Sequence, residues 1–194
     1  MQFKWIVSLA LVCFVALAGA QGRQIRIITP HYPLYPLFRD PVVLRDLKVS
    51  SDQKRRIDSF LPSFAGGKLV VDSKDIDSSD QNIFAVLTPD QKKRTDQILI
   101  QYYNPRIVLR NDISKLVHLS DAQRDKINEV QHRIQKEAMT ELIKNSKGSV
   151  SIDKSKSRLI VQRTSAAINK ILTAGQRAAL VKMGGRQVHF TDHS

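Results

Sequence analysis

Leu87-Thr88-Pro89-Asp90-Gln91-Lys92 is the stretch that decides the fold, because it reads as a helix start and because it recurs. Val49-Ser50-Ser51-Asp52-Gln53-Lys54, Leu119-Ser120-Asp121-Ala122-Gln123-Arg124 and Leu172-Thr173-Ala174-Gly175-Gln176-Arg177 share its pattern: apolar, Ser or Thr, two free positions, Gln, then Lys or Arg. Ordinary residue frequencies give roughly 0.1 such matches by chance in a chain this long, so four copies are a repeat. The hydroxyl of Ser50, Thr88, Ser120 or Thr173 is placed to cap a helix by accepting the backbone N–H three residues on. Gln53, Gln91, Gln123 or Gln176 then reaches back to the cap's own N–H. Pro89 suits the first helical position, and Asp52, Asp90 and Asp121 complement the positive end of the helix dipole. The basic residue after each Gln opposes that dipole. Two roles are open for it: its aliphatic stem covers the apolar residue ahead of the cap, or it builds a basic surface.

Working outward, Val43 and Leu47 precede the first motif as Ile113 and Val117 precede the third, with Pro41 and Asn111 opening each short segment. The chain thus reads as two related halves, roughly 40–105 and 110–185, each with two Ser/Thr-x-x-Gln helix starts, joined at Tyr102-Tyr103-Asn104-Pro105-Arg106. Apolar spacing predicts helices from Asp121 to about Asn145, about Asp153 to Ile171, Pro89 to Tyr103 and Ser51 to about Leu61. Phe64-Ala65-Gly66-Gly67 and Asp72-Ser73-Lys74 read as turns, and Lys68-Leu69-Val70-Val71 as a short strand with no evident partner. The expected fold is all-α, a small helical domain of about five to seven helices over residues 41–188. An extended Pro-rich arm is expected over 21–40 and a flexible tail over 189–194.

The first twenty residues read as a signal peptide: Lys4, an apolar run from Ile6 to Ala18, and Ala18-Gly19-Ala20 as a cleavage site. The run is too short for a membrane span, so cleavage after Ala20 and a periplasmic or secreted location are expected, with no transmembrane span afterwards. Cys13, the sole cysteine, falls in this leader, which leaves no thiol for a disulfide or metal and leans toward a bacterial source. The formal net charge of +13 calls for an anionic partner. Export puts nucleic acid out of reach and leaves acidic proteins, an anionic envelope polymer or a membrane surface.

Catalysis is not expected. The five histidines are scattered, and no phosphate loop, dinucleotide fingerprint or metalloprotease motif occurs. No cofactor is expected. His189 and His193 with Asp192 have metal-ligand chemistry but sit in the expected tail. Tyr102 and Tyr103 suit helix-end core packing better than a stacking platform.

At its four motifs the chain resembles the LTxxQ-motif family of small bacterial envelope proteins (Spy/CpxP-like). The count of four in two halves is closer to the secreted relatives from planctomycete-type bacteria. The resemblance covers roughly residues 40–185. It implies an all-helical, exported, basic protein that holds aggregation-prone clients without ATP or reports envelope stress, and a homodimer as its assembly. The expected function is therefore non-enzymatic, chaperone-like capture of unfolded or acidic client proteins. Candidate client-binding residues are Lys54, Arg55, Arg56, Lys92, Lys93, Arg94, Arg124 and Lys126. The alternative expectation is a structural envelope protein that binds an anionic polymer or a membrane surface.

Overall fold

The computed structural model describes residues 32–61, 64–65, 68–69, 73–145 and 154–191. The expected signal peptide, the start of the arm and His193 lie outside them. Helices α1 (Tyr35–Phe38), α2 (Pro41–Asp46) and α3 (Ser51–Phe60) lead to a two-residue antiparallel hairpin, β1 (Phe64–Ala65) with β2 (Lys68–Leu69). Then come α4 (Ser73–Val86), α5 (Pro89–Tyr103), a 3-10 turn at Arg106–Leu109, α6 (Asn111–Leu116), α7 (Asp121–Asn145), α8 (Lys154–Ile171) and α9 (Ala174–Gly184). The fold is all-helical apart from that hairpin. Lys68–Leu69 does find a strand partner, and it comes from Phe64–Ala65, a stretch whose composition reads as a turn.

The same order of elements occurs twice: short helix, motif helix, helix, motif helix. Helices α2 to α5 form one set and α6 to α9 the other. Even the joints match. After α2 the chain reverses at Lys48 (φ 51°), and after α6 at His118 (φ 50°). At each joint the N–H two residues past the C-cap bonds five residues back, Val49 to the Leu44 carbonyl at 3.0 Å and Leu119 to the Ser114 carbonyl at 2.8 Å. These are Schellman closures with a side chain where glycine is usual, a left-handed conformation that costs about 1–2 kcal/mol per residue.

Helix α3 pairs with α4, α7 with α8, and α5 packs along α9 between the two sets. One apolar core runs through all of it, with Ile57, Ile83, Ile98, Ile107, Ile113, Ile127, Ile168 and Leu180 in a single cluster. On α7, Ile127 and Ile134 are buried and Val130, between them at helical spacing, is half-buried. On α8, Ile168 is fully buried and Thr164, one turn earlier, nearly so. Nine α-helices stand among the described residues, more than the five to seven expected, because turns as short as α1 leave no periodicity to read.

Two segments differ from expectation. The arm expected to be extended over 21–40 holds the helical turn α1, and Leu34, Leu37 and Phe38 are buried in the core. Its prolines permit this, since Pro36 falls within the first two positions of α1 and loses no helical bond there. The expected flexible tail is docked as far as Thr191, whose N–H donates to Asp40 at 2.9 Å, while Phe190 packs edge-on against Tyr102 at 5.3 Å. Residues 192–194 lie outside the described residues.

Candidate functional site

All four motifs form the caps their spacing predicts. Ser50 accepts from the Gln53 N–H at 3.2 Å, Thr88 from Gln91 at 3.3 Å, Ser120 from Gln123 at 3.2 Å and Thr173 from Gln176 at 3.2 Å. In return each Gln Oε1 accepts the cap's own N–H, at 3.0, 2.9, 3.2 and 2.9 Å in the same order.

The motifs also pair with one another, which no local spacing foretells. Gln53 Nε2 donates to Gln91 Oε1 at 2.8 Å while Gln91 Nε2 donates to Gln53 Oε1 at 3.1 Å. Gln123 and Gln176 do the same at 2.8 and 3.0 Å. The second amide hydrogen of each glutamine goes to a carbonyl near the end of a neighbouring helix. Gln53 donates to Val86 O at 3.0 Å and Gln91 to Leu47 O at 3.0 Å; Gln123 donates to Ile171 O at 3.0 Å and Gln176 to His118 O at 3.3 Å. Each amide therefore uses both donors and both acceptor sites, its full capacity. Each hub joins two helix N-termini to two helix C-termini and satisfies groups that helix ends otherwise leave bare.

At the fourth motif the cation after Gln reaches the carbonyl end of the preceding helix, where positive charge is favoured, although its own first turn opposes it. Arg177 shows this directly: its guanidinium donates to Asn169 O at 2.8 Å, in the last turn of α8, and to Leu172 O just beyond it.

The eight candidate client-binding residues separate accordingly. Arg94 is spent inside the molecule. It donates to Asp46 at 2.6 Å, to Gln97 at 2.9 Å and to the Arg186 carbonyl at 2.7 Å, with its side chain only 15% exposed. Arg124 braces α7 on α6 through the buried Ser114 hydroxyl at 2.7 Å. Lys54 pairs with Asp58 and Arg55 with Asp52, both exposed pairs within one helix that contribute little. Lys92 is half-buried, and Arg56, Lys93 and Lys126 are exposed. The first hub ties the start of α3, which carries Lys54, Arg55 and Arg56, to the start of α5, which carries Lys92 and Lys93.

A second concentration of basic residues escaped motif reading. Residues 154–191, spanning α8 and α9, contain eight Lys and Arg and no Asp or Glu. Arg158, Lys170, Arg177 and Lys182 are exposed there, with Leu159 and Val181 among the exposed large apolar residues. The usable signal was a missing residue type rather than a motif.

Tyr102 and Tyr103 belong to the packing. Tyr103 donates from its hydroxyl to Pro33 O at 2.8 Å, stacks edge-on with Tyr32 and Tyr102, and lies under the Arg106 guanidinium. Burial pushes the Tyr103 hydroxyl well above its ordinary pKa and Tyr35 up to about 12, so neither phenol is poised to ionise near neutrality. A cavity of about 220 Å³ opens between Tyr32, Leu34, Phe84, Leu99, Asp80, Asp96 and Arg110. Its polar groups are engaged: Asp80 accepts the Leu34 N–H, and Arg110 grips Asp112 with two bonds of 2.8 Å. Burial raises the Asp96 pKa against the opposing charge of Arg110. For Asp112, burial acts upward, but the hydrogen bond and charge of Arg110 outweigh it and hold the carboxyl low.

Among the described residues, no group of three or more His, Cys, Asp or Glu is placed to hold a metal, and no helix is long and apolar enough to cross a membrane. No protein-family model, curated protein or solved structure matches the chain.

Proposed function

We propose that this chain is an exported, non-enzymatic binding protein that captures unfolded or acidic client proteins in a chaperone-like way. The observation that carries the reading is the first glutamine hub. It anchors two helix starts to each other, so the backbone positions that carry the exposed cations Arg55, Arg56 and Lys93 are held relative to one another before a client arrives. A preformed basic surface draws acidic segments in by long-range attraction and loses little entropy when they arrive. The resemblance to the LTxxQ-motif family supports the same reading, since the four motifs that carry it are the residues that build the hubs. The signal-peptide layout of residues 1–20 supports export.

Suppression of aggregation of a chemically denatured acidic protein by residues 21–194 tests the proposal. The expected result is dose-dependent suppression that weakens as salt screens the surface. Reversing Arg55, Arg56 and Lys93 to Glu should reduce suppression several-fold while thermal unfolding stays within a few degrees of the parent, because exposed substitutions cost about 0.5 kcal/mol or less. Absence of suppression at any ratio would overturn the reading.

A further inference from the structure

The segment that follows α9 is held through its backbone by side chains of other elements. Gly184 and Gly185 turn it back along α5, and from Arg186 to Thr191 it forms neither helix nor strand. Arg94 and Gln101 donate to the Arg186 carbonyl at 2.7 and 2.8 Å. Gln101 also accepts the Val188 N–H at 2.9 Å, and Asp40 accepts the Thr191 N–H at 2.9 Å. The side chains alternate as in an extended strand. Arg186 pairs with Asp46, Val188 joins the core and Phe190 packs on Tyr102, while Gln187 and His189 are exposed.

The groove that receives this segment belongs to one set of helices. The repeat places Leu116 of α6 where α2 has Asp46, and Ala179 of α9 where α5 has Arg94. Neither counterpart can bind a cation or donate to a carbonyl. The repeated architecture therefore stands without these groove residues.

We infer that the groove along α5 and α2 docks an extended peptide segment of a client, with residues 186–190 as its resident occupant. The resident states the chemistry of the client: a cation, an aliphatic residue two positions on, and an aromatic residue two beyond that. Groups that bind the main chain accept any residue between those anchors, as when a peptide adds to a sheet edge. Asp46, 13% exposed, meets the cation, so the groove takes basic and apolar segments, whereas Arg55, Arg56 and Lys93 draw acidic ones. The inference rests on the capture reading and gives unfolded clients a second, separate contact. Tethered beside the groove, the resident segment competes at high effective concentration and keeps it filled until clients are abundant.

The test is fluorescence anisotropy of a labelled peptide copying residues 185–191, titrated with residues 21–194. The described fold starts at Tyr32, so omitting the leader removes none of the described core. Val188→Ser with Phe190→Ser loosens the resident segment and should tighten peptide binding about tenfold or more, because apparent affinity follows the fraction of open grooves. Adding Gln101→Ala should remove most of that gain. If the double variant does not fold, amide exchange on the unaltered chain answers the same question. Excess peptide should speed exchange at Val188 and Thr191, whose N–H groups the groove holds, and leave Ile98 unchanged. Equal binding by parent and loosened variant, or exchange at Val188 and Thr191 that ignores the peptide, would overturn the inference. A dimer that grows with protein concentration while the peptide stays unbound would name a second copy as the occupant and overturn it too. Suppression of aggregation by a chain that never binds the peptide would overturn the groove and leave the proposed function standing. Peptide binding by a chain that suppresses nothing would uphold the groove and sink capture at the first hub.

Discussion

Glutamine is the one side chain that can complete a hub. At Gln91, Oε1 accepts the Thr88 N–H and the Gln53 amide, while Nε2 supplies Gln53 and the Leu47 carbonyl. Glutamate preserves the first role, since it is equally good in a capping box and better suited to a helix N-terminus. It destroys the second, because a carboxylate has no hydrogen to give and would turn an acceptor toward Leu47 O. Gln91→Glu therefore separates cap from hub. It should destabilise the protein by about 1–3 kcal/mol, the penalty for stranding partly buried acceptors. Chemical denaturation would measure this, and an unchanged midpoint would mean that the amide pair contributes nothing beyond the caps. The caps were legible because partners three residues apart always meet at a helix start. The pairing was not, because Gln53 and Gln91 are 38 residues apart and no sequence pattern carries the fold that joins them.

The same limit of local pattern shows in the segment that follows α9. Glycine 184 leaves room for Gln101, whose Cγ would lie 2.8 Å from an added Cβ, and Gly185 takes φ +65° beside Gln97. These two residues turn the chain back along α5. Gln101 then donates to the Gly184 and Arg186 carbonyls and accepts the Val188 N–H at 2.9 Å, so α5 treats the segment almost as an added strand. Asp46 on α2 binds Arg94 and Arg186 together, at 2.6 and 2.5 Å. Composition near a terminus favours disorder, and Arg186-Gln187-Val188-His189 has too few apolar residues to announce burial. Side-chain amides on α5 supply what composition does not. Ending the chain at Gly185 would empty the place of Val188, bare Tyr102 and leave Gln101 with unmet bonds. Thermal melts should show a loss of about 2–4 kcal/mol from the lost apolar burial and hydrogen bonds. An unaltered melt would mean the segment does not dock in solution.

Across the whole molecule, the hubs and the core distribute stability in different ways. Each hub is confined to one set of four helices, so taken alone it would favour two units that unfold separately. The core acts against this. Ile57 and Ile98 from the first set share a cluster with Ile127, Ile168 and Leu180 from the second, and α5 lies along α9 between them. Exposing either set would open that cluster for both, and apolar burial at roughly 25 cal/mol per Å² outweighs the one or two kcal/mol that a hub can hold. Residues 21–194 should therefore unfold in a single transition, with far-UV circular dichroism and tyrosine fluorescence giving the same midpoint. Gln53→Leu and Gln123→Leu should each lower that midpoint without splitting it, although the substitutions lie in different hubs. Two resolved transitions in either variant would show that the helix sets are separate folding units and that the α5–α9 contact is a docking surface between them.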